Sequence, residues 1–209
     1  LIKPTRKELI LDAAEVLFAE RGFDGVSMRM VADAAPVGLG LLTYHFATKE
    51  TLFEAVVERR ASVLSGARLD ALAALVDPTL EELMDAFIRP YRDLIMTGGP
   101  GWRSYARLHA NLTQDARWTA LAMRNFGDVG RTMIDRICAA EPGIDRALAV
   151  RGYVHVIGTM VSVFANTGLI DQLSGGTLSS HDIDASLAPM VQFGAGGIRA
   201  LAKPAPSNI

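Results

Sequence analysis

Helix start and stop signals follow one another at short intervals at the front of this chain, and they leave room only for a string of small helices. Thr5-x-x-Glu8 is a capping box, in which the Thr5 hydroxyl accepts from a free backbone N–H while Glu8 reaches back. Ile10, Ala13, Ala14, Leu17 and Phe18 then recur at the i, i+3, i+4, i+7, i+8 spacing of one buried helix face. Gly22 is placed to end that helix. Ser27 is a good N-cap for a second, short helix running to about Ala34, which Pro36 closes. A third helix spans about Gly38 to Tyr44. Thr48 caps a fourth, whose inner face carries Leu52, Phe53, Val56 and Val57.

The same punctuation continues to the end. Asp77-Pro78-Thr79 is a break, and Thr79-x-x-Glu82 is a second capping box that opens a helix to about Thr97. Gly98-Gly99-Pro100-Gly101 reads as a loop. Helices are expected over about Trp102–Thr113 and Arg117–Ala140, then Pro142-Gly143, then one long apolar helix from about Ile144 to Leu169. Ser174-Gly175-Gly176 is a loop, and Ser179-x-x-Asp182 caps a last helix ending near Ala202, before a Pro204-Ala205-Pro206 tail. Strand signals are scarce and no repeat is visible. The expected class is all-α, with about nine helices.

Half of the 209 residues are hydrophobic, ample for a core. The net charge is -2, and residues 1–60 hold eight bases against nine acids, so any polyanion-binding face requires the bases to cluster. Cys138 is the single cysteine, which excludes an intrachain disulfide and a thiolate zinc cage and fits a reducing cytoplasm. The charge-free apolar run from Gly152 to Ala165 reads as too short to span a bilayer, and no membrane partner is expected. The first residue is Leu1, so a start further upstream, with further basic residues, is expected.

Two short helices joined by a tight turn also occur in proteins that never meet DNA. What narrows the reading is the stretch Ile10–Ala35, followed by Leu41-Leu42-Thr43-Tyr44-His45-Phe46 and then Thr48-Lys49-Glu50. From about Thr5 to Arg59 the chain resembles the TetR family of one-component, ligand-responsive repressors. The resemblance implies a helix-turn-helix DNA-binding domain over residues 1–48 and a helical ligand-binding and dimerisation domain over 49–209. It implies a recognition helix from Gly38 to Tyr44 in the major groove, showing Leu39, Leu41, Thr43 and Tyr44. Tyr44 and His45 would reach phosphates, Lys49 would bind one at the start of the next helix, Ser27 and Arg29 would meet the backbone from the second helix, and Lys3, Thr5 and Arg6 would grip a phosphate or the minor groove. Plainer roles stand beside these: Tyr44 as a packing residue, His45 and Thr48 as caps. The chain departs from the family at Pro36, where glycine is usual because the turn needs positive φ, and at Gly38 and Leu39, where a polar cap and a base are common. Base readout is then expected to be sparse, with more weight on apolar contact and DNA shape.

The remaining helices carry no nucleophile elbow, phosphate loop or HExxH, so neither an enzyme nor a cofactor or metal is expected; His109, His155 and His181 show no ligand spacing. The resemblance implies an inducer pocket and a homodimer. Pocket candidates are aromatic or polar residues on apolar helices: Tyr91, Trp102, Tyr105, His109, Trp118, Met123, Phe126, Tyr153, His155, Met160 and Asn166. Arg103 and Arg107 share a face and would hold an anionic group if they are not simply surface residues. For the dimer, Tyr153, Ile157, Val161 and Phe164 lie on a helix apolar nearly all round, and Phe193, Gly194, Gly197 and Ile198 on the last helix, where glycines point to a close backbone approach. The partners expected are double-stranded DNA with a near-palindromic operator, a small-molecule inducer and a second copy of the chain. The alternative is an all-helical small-molecule-binding protein or carrier without DNA binding; activation rather than repression stays open.

Overall fold

The computed structural model describes residues 4–99 and 101–202. Among them are ten α-helices, one short 3-10 turn and no strand. The helices are α1 (Arg6–Arg21), α2 (Met28–Ala34), α3 (Leu39–His45), α4 (Lys49–Ala73), α5 (Leu80–Thr97), α6 (Gly101–Gln114), α7 (Thr119–Ala140), α8 (Arg146–Phe164), α9 (Leu169–Leu173) and α10 (Ile183–Leu201); the 3-10 turn is Ala116–Trp118. The caps read from the sequence at Thr5, Gly22, Ser27, Thr48 and Thr79 hold. Thr5 and Glu8 form the reciprocal box at α1, Gly22 ends it at φ 68, and Ser27 Oγ accepts from the Met30 N–H. Thr48 Oγ1 accepts from the Thr51 N–H, and Thr79 Oγ1 from the Glu82 N–H.

Three boundaries differ from expectation. The helix expected over 144–169 starts later, because Asp145 caps it by accepting from the Leu148 N–H at 2.9 Å. It also stops earlier: Asn166 and Gly168 take left-handed φ values of 52 and 81, which no helix continues through, and α9 is a separate five-residue piece. Asp182 itself, not Ser179, caps α10. In addition α8, at 19 residues, is long and apolar enough on length and composition to cross a bilayer, although the shorter charge-free run inside it is not. Its apolar residues Ala149, Gly152, Tyr153, Val156 and Met160 are buried within the protein.

The chain forms two compact units, Leu1–Val63 with Ile95–Asn125, and Leu64–Leu94 with Phe126–Ile209. A division after residue 48 is therefore not how the chain clusters: the front helices share a core with α6, on which α1 packs. The first unit is built around Ile10, Ala14, Phe18, Val31, Leu42, Phe46, Leu52, Phe53 and Val56, all buried. Phe18, Phe23, Phe53 and Trp118 form an aromatic cluster with ring separations of 4.5 to 6.0 Å. The buried side of α1 is rotated from the expected stripe, since Leu11, Glu15 and Ala19 are sealed while Ala13 and Leu17 are half-buried. A carboxylate thus sits in the core, met by Arg59 and Arg60.

In the second unit α10 packs on α8. Gly152 allows that approach: a Cβ there would lie 2.5 Å from Ile198 Cδ1. Gly194 does the same against Met84 and Val156. Arg199 pairs with Glu81 at 2.8 Å, and Arg92 pairs with Asp184. Both are surface pairs of small energetic weight.

Candidate nucleic-acid interface

α2 and α3 are joined by a turn that the sequence makes awkwardly. Ala35 caps α2, and the Val37 N–H donates to Ala32 O at 3.1 Å, the six-to-one bond of a Schellman end. The residue between them must be left-handed, and it is Pro36, held at φ 23. Proline prefers about -65° and has no N–H to make the companion bond. Pro36 therefore occupies a glycine position, with the turn geometry preserved. Pro36→Gly is expected to raise stability by about 1 kcal/mol or more, by removing strain and restoring a donor; thermal unfolding reads this directly.

α3 is anchored through Leu42, fully buried, and shows the rest of itself to solvent. Leu39 is 44% exposed, Leu41 38% and Tyr44 83%, and Gly38, Gly40 and Thr43 are exposed with them. Tyr44 is thus no packing residue; its ring meets the His45 ring, at 5.4 Å. His45 is half-buried at the end of α3. The Thr43 hydroxyl donates back to Leu39 O at 3.0 Å and Gly40 O at 3.1 Å. Thr5, Arg6, Ser27 and Arg29 are exposed, with Thr5 and Ser27 occupied as caps. Lys3 lies outside the described residues.

Lys49 is placed differently from the expectation of a phosphate contact. Its ammonium donates to Phe23 O at 2.9 Å and Val26 O at 3.0 Å, and lies 4.2 Å from the Phe23 ring centroid. It clamps the connection between α1 and α2 from one side. From another, Arg117 forms a two-pronged pair with Asp24 at 3.0 and 2.7 Å while also holding Asp115. The Arg117 guanidinium keeps both carboxyls below the usual range. Lys49→Ala is expected to cost about 1.5–3 kcal/mol of stability, the range for hydrogen bonds to a charged group, and to leave the salt dependence of DNA binding unchanged. A flattened salt slope with unchanged stability would return Lys49 to the phosphate.

The pocket candidates fall into two groups, one per unit. In the first unit Trp102, Tyr105 and His109 are buried in sequence along α6, with ring spacings of 5.6 and 5.8 Å, and Trp118 belongs to the aromatic cluster. Met123 is 55% exposed and faces outward. In the second unit Tyr91, Tyr153 and Met160 surround Arg68, which is 2% exposed. Its Nε donates to Phe87 O at 2.8 Å, and its Nη2 contacts Met160 Sδ at 3.0 Å. The guanidinium lies 4.0 Å from the Phe87 ring centroid and 5.5 Å from that of Tyr91. Burial pushes the Tyr153 hydroxyl up to about 12, against an opposing pull from Arg68. Sequence reasoning missed Arg68, although its signal was there: it stands in helical register with Leu64 and Leu72, both fully buried. Phe126 is half-buried, and Asn166 shares a hydrogen bond with His181 Nδ1 at 2.9 Å.

His155 is exposed, not interior, and so is its neighbourhood. Exposed along α8 are Ala147, Val150, Val154, His155, Gly158 and Ser162, with Arg146 and Arg151 as charged residues among them. The outer side of α10 presents Ala188, Phe193 (69% exposed), Gly196, Gly197 and Ala200. Between the two lies a groove of about 280 Å³, whose walls include His155, Met160, Phe193 and Gly197. Of the dimer candidates, Tyr153, Val161, Phe164, Gly194 and Ile198 are instead sealed within the protomer, and Ile157 is half-buried. A helix apolar on every side gives no sign of which side meets its own core. Among the described residues no three His, Cys, Asp or Glu side chains gather as a metal site.

Comparison with known proteins places these features. Residues 10–56 match the description "Bacterial regulatory proteins, tetR family", and residues 85–197, more than half of the chain, match "Tetracyclin repressor-like, C-terminal domain". The HTH-type transcriptional repressor KstR2 of Rhodococcus jostii is 36% identical over 84 residues, which is 39% of this chain and 41% of that protein. The chain thus matches about two fifths of that relative's length. Among solved structures, the fatty acid degradation regulator FadR from Bacillus halodurans superposes with a TM-score of 0.68 at 15% identity, covering 95% of this chain and 99% of that one. The ketosteroid transcriptional regulator KstR2 of Mycobacterium tuberculosis gives 0.66 at 18% identity, covering 92% and 96%. At those identities the likeness shows the fold.

Proposed function

This chain belongs to the tetR family of bacterial regulatory proteins, and from that premise we propose that it is a DNA-binding transcriptional regulator, a repressor released from a near-palindromic operator by a small, largely hydrophobic molecule. The observation that carries the reading is α3: a short helix pinned by one buried leucine, with Leu39, Leu41, Thr43 and Tyr44 left to solvent. A helix so placed after a tight turn is the part that enters a major groove. Lys49, Arg117 and the aromatic cluster hold the α1–α2 connection, and so fix where α2 begins.

The exposed apolar side chains Val150, Val154 and Phe193 on α8 and α10 support a homodimer joined through those helices. Gly158, Gly196 and Gly197 have open space where a Cβ would stand, so a facing backbone has room to come close. Two-fold symmetry then sets two α3 helices about one DNA turn apart, ~34–36 Å, and makes the operator a near-palindrome. The inducer site we assign to helices of the C-terminal part, where Arg68 and Tyr153 are polar groups buried among apolar side chains. Two structural neighbours are named as a fatty acid degradation regulator and a ketosteroid transcriptional regulator, which supports a hydrophobic ligand here. Such a molecule acts by binding the DNA-incompetent form more tightly and shifting the population towards it.

The test is a gel-shift titration with duplexes from the region upstream of the chain's own gene, repeated across salt concentrations. A regulator binds one duplex far above random sequence, and its log affinity falls linearly with log salt. Binding that neither prefers a sequence nor responds to salt would leave the carrier reading. A thermal-shift screen of steroid-like and long-chain acyl compounds then identifies the inducer as the compound that raises the melting point.

A further inference from the structure

The surface of α3 also indicates what it reads. Gly40 lies in the first turn of this seven-residue helix, exposed, and its φ lies outside the left-handed region. A Cβ built there meets nothing within 4 Å. Gly38, the N-cap, is the same: φ is -69, no side chain caps the helix, and a Cβ meets nothing. Gly66, Gly158, Gly196 and Gly197 also have open space at the Cβ position, whereas at other glycines the reason is visible. Gly22 needs positive φ, Gly152 admits Ile198, and Gly101 leaves space for Arg60 and Glu15. At positions 38 and 40 glycine weakens the helix relative to alanine or a capping serine, and nothing inside the chain requires it.

The side chains of α3 point the same way. Its sequence, Leu-Gly-Leu-Leu-Thr-Tyr-His, contains no Arg, Lys, Asn, Gln, Asp or Glu. Those are the residues that read guanine, adenine or cytosine edges through hydrogen bonds. The Thr43 hydroxyl hydrogen is used on the carbonyls of Leu39 and Gly40. What Thr43 offers outward is a methyl group and an acceptor lone pair. Leu39 and Leu41 offer only hydrocarbon. The one apolar group on the floor of the major groove is the thymine C5-methyl.

We infer that α3 reads its half-site mainly by apolar contact with thymine methyl groups, and that Gly40 is the specificity-determining residue that lets the helix seat close enough to make it. This rests on the DNA-binding reading above. Leu39, Leu41 and the Thr43 methyl cover the thymine methyls, and Gly40, flanked by the two leucines, keeps the helix backbone near the base edges. A methyl group at position 40 holds the helix away from the groove floor and weakens those contacts together.

The experiment uses the full chain and duplexes that it selects from a random-sequence pool. The selected half-sites are resynthesised with deoxyuridine replacing thymidine, one position at a time, and Gly40→Ala is compared with the unchanged chain. Removing a contacted methyl is expected to weaken binding about fourfold per position, with the salt slope unchanged. Gly40→Ala is expected to raise the melting temperature yet weaken binding about tenfold or more, opposite signs that no general loss of folding produces. Gly66→Ala, at an exposed α4 position also free of neighbours within 4 Å, serves as the control that gains stability without losing affinity. Selected duplexes that tolerate uracil throughout, or a Gly40→Ala chain that binds as tightly as the original, overturn the inference and leave DNA binding standing. A chain that selects no duplex overturns the regulator reading itself, and this inference with it.

Discussion

Glu15→Ala is expected to lower stability by about 3–5 kcal/mol, the range for removing one partner of a buried ion pair. Glu15 is 1% exposed on the inner side of α1. Arg60 grips it with two bonds, Nε at 2.8 Å and Nη2 at 3.0 Å, and Arg59 adds a third at 3.0 Å while holding Asp12 with its other nitrogen. Gly101 completes the arrangement, because any Cβ there would fall on the Arg60 guanidinium and the Glu15 carboxylate. Alanine leaves two part-buried guanidinium groups beside one another without the carboxylate between them. Glu15→Gln keeps the shape and removes the charge, so an intermediate loss is expected. Urea unfolding followed by helix content measures both. A loss below about 1 kcal/mol for alanine would place this cluster with ordinary surface pairs.

The second large effect belongs to the proposed dimer. Val154→Arg combined with Phe193→Arg puts charge on the outer sides of α8 and α10, at side chains 57% and 69% exposed in the protomer. Neither residue contributes to the protomer core, so helix content should be unchanged. Across a two-fold axis each arginine would be buried near its own copy, a like-charge arrangement that costs several kcal/mol. The chain is expected to sediment as a monomer, and affinity for a palindromic duplex to fall about a hundredfold or more, because two linked readers become one. A dimer that survives both arginines would have its symmetry axis on another surface.

The two predictions concern features of unequal visibility in the sequence. The cap at Thr5, the stop at Gly22 and the starts at Ser27, Thr48 and Thr79 are local, because each depends on a side chain reaching a backbone group within three residues. They could be read off one by one, and the helical class followed from them. The break after α8 is signalled by Asn166 and Gly168, residue types that take left-handed φ at helix ends, but the apolar residues continue past them at Leu169 and hide it. Pro36 was legible as an anomaly, since a glycine position is defined by the turn and not by its neighbours. Its outcome was not legible: the turn kept its shape and the proline bent to it.

For the interface, exposure of Leu39, Leu41, Thr43 and Tyr44 is what the resemblance to the family implies, and the buried Leu42 on the opposite side of α3 agrees with it. Lys49 did not follow. A cation at a helix start suits a phosphate and suits two loop carbonyls equally well, and only the position of Phe23 and Val26 decides between them. Glu15, Arg68 and Arg117 escaped for the same reason, since each is explained by partners far along the chain.

What the amino-acid order determined alone is therefore most of the helices and their caps, α9 and the cap of α10 excepted, and the membership that a continuous match of short-range features carries. Tertiary structure decided which side of each helix is inside. On α8 that choice separates Tyr153, which is core, from Val154 and His155, which are surface, although all three stand side by side in one apolar run. Short-range hydrogen bonds are encoded within a turn of the residues that make them, whereas burial is a property of whatever packs against a face, and that partner lies elsewhere in the chain.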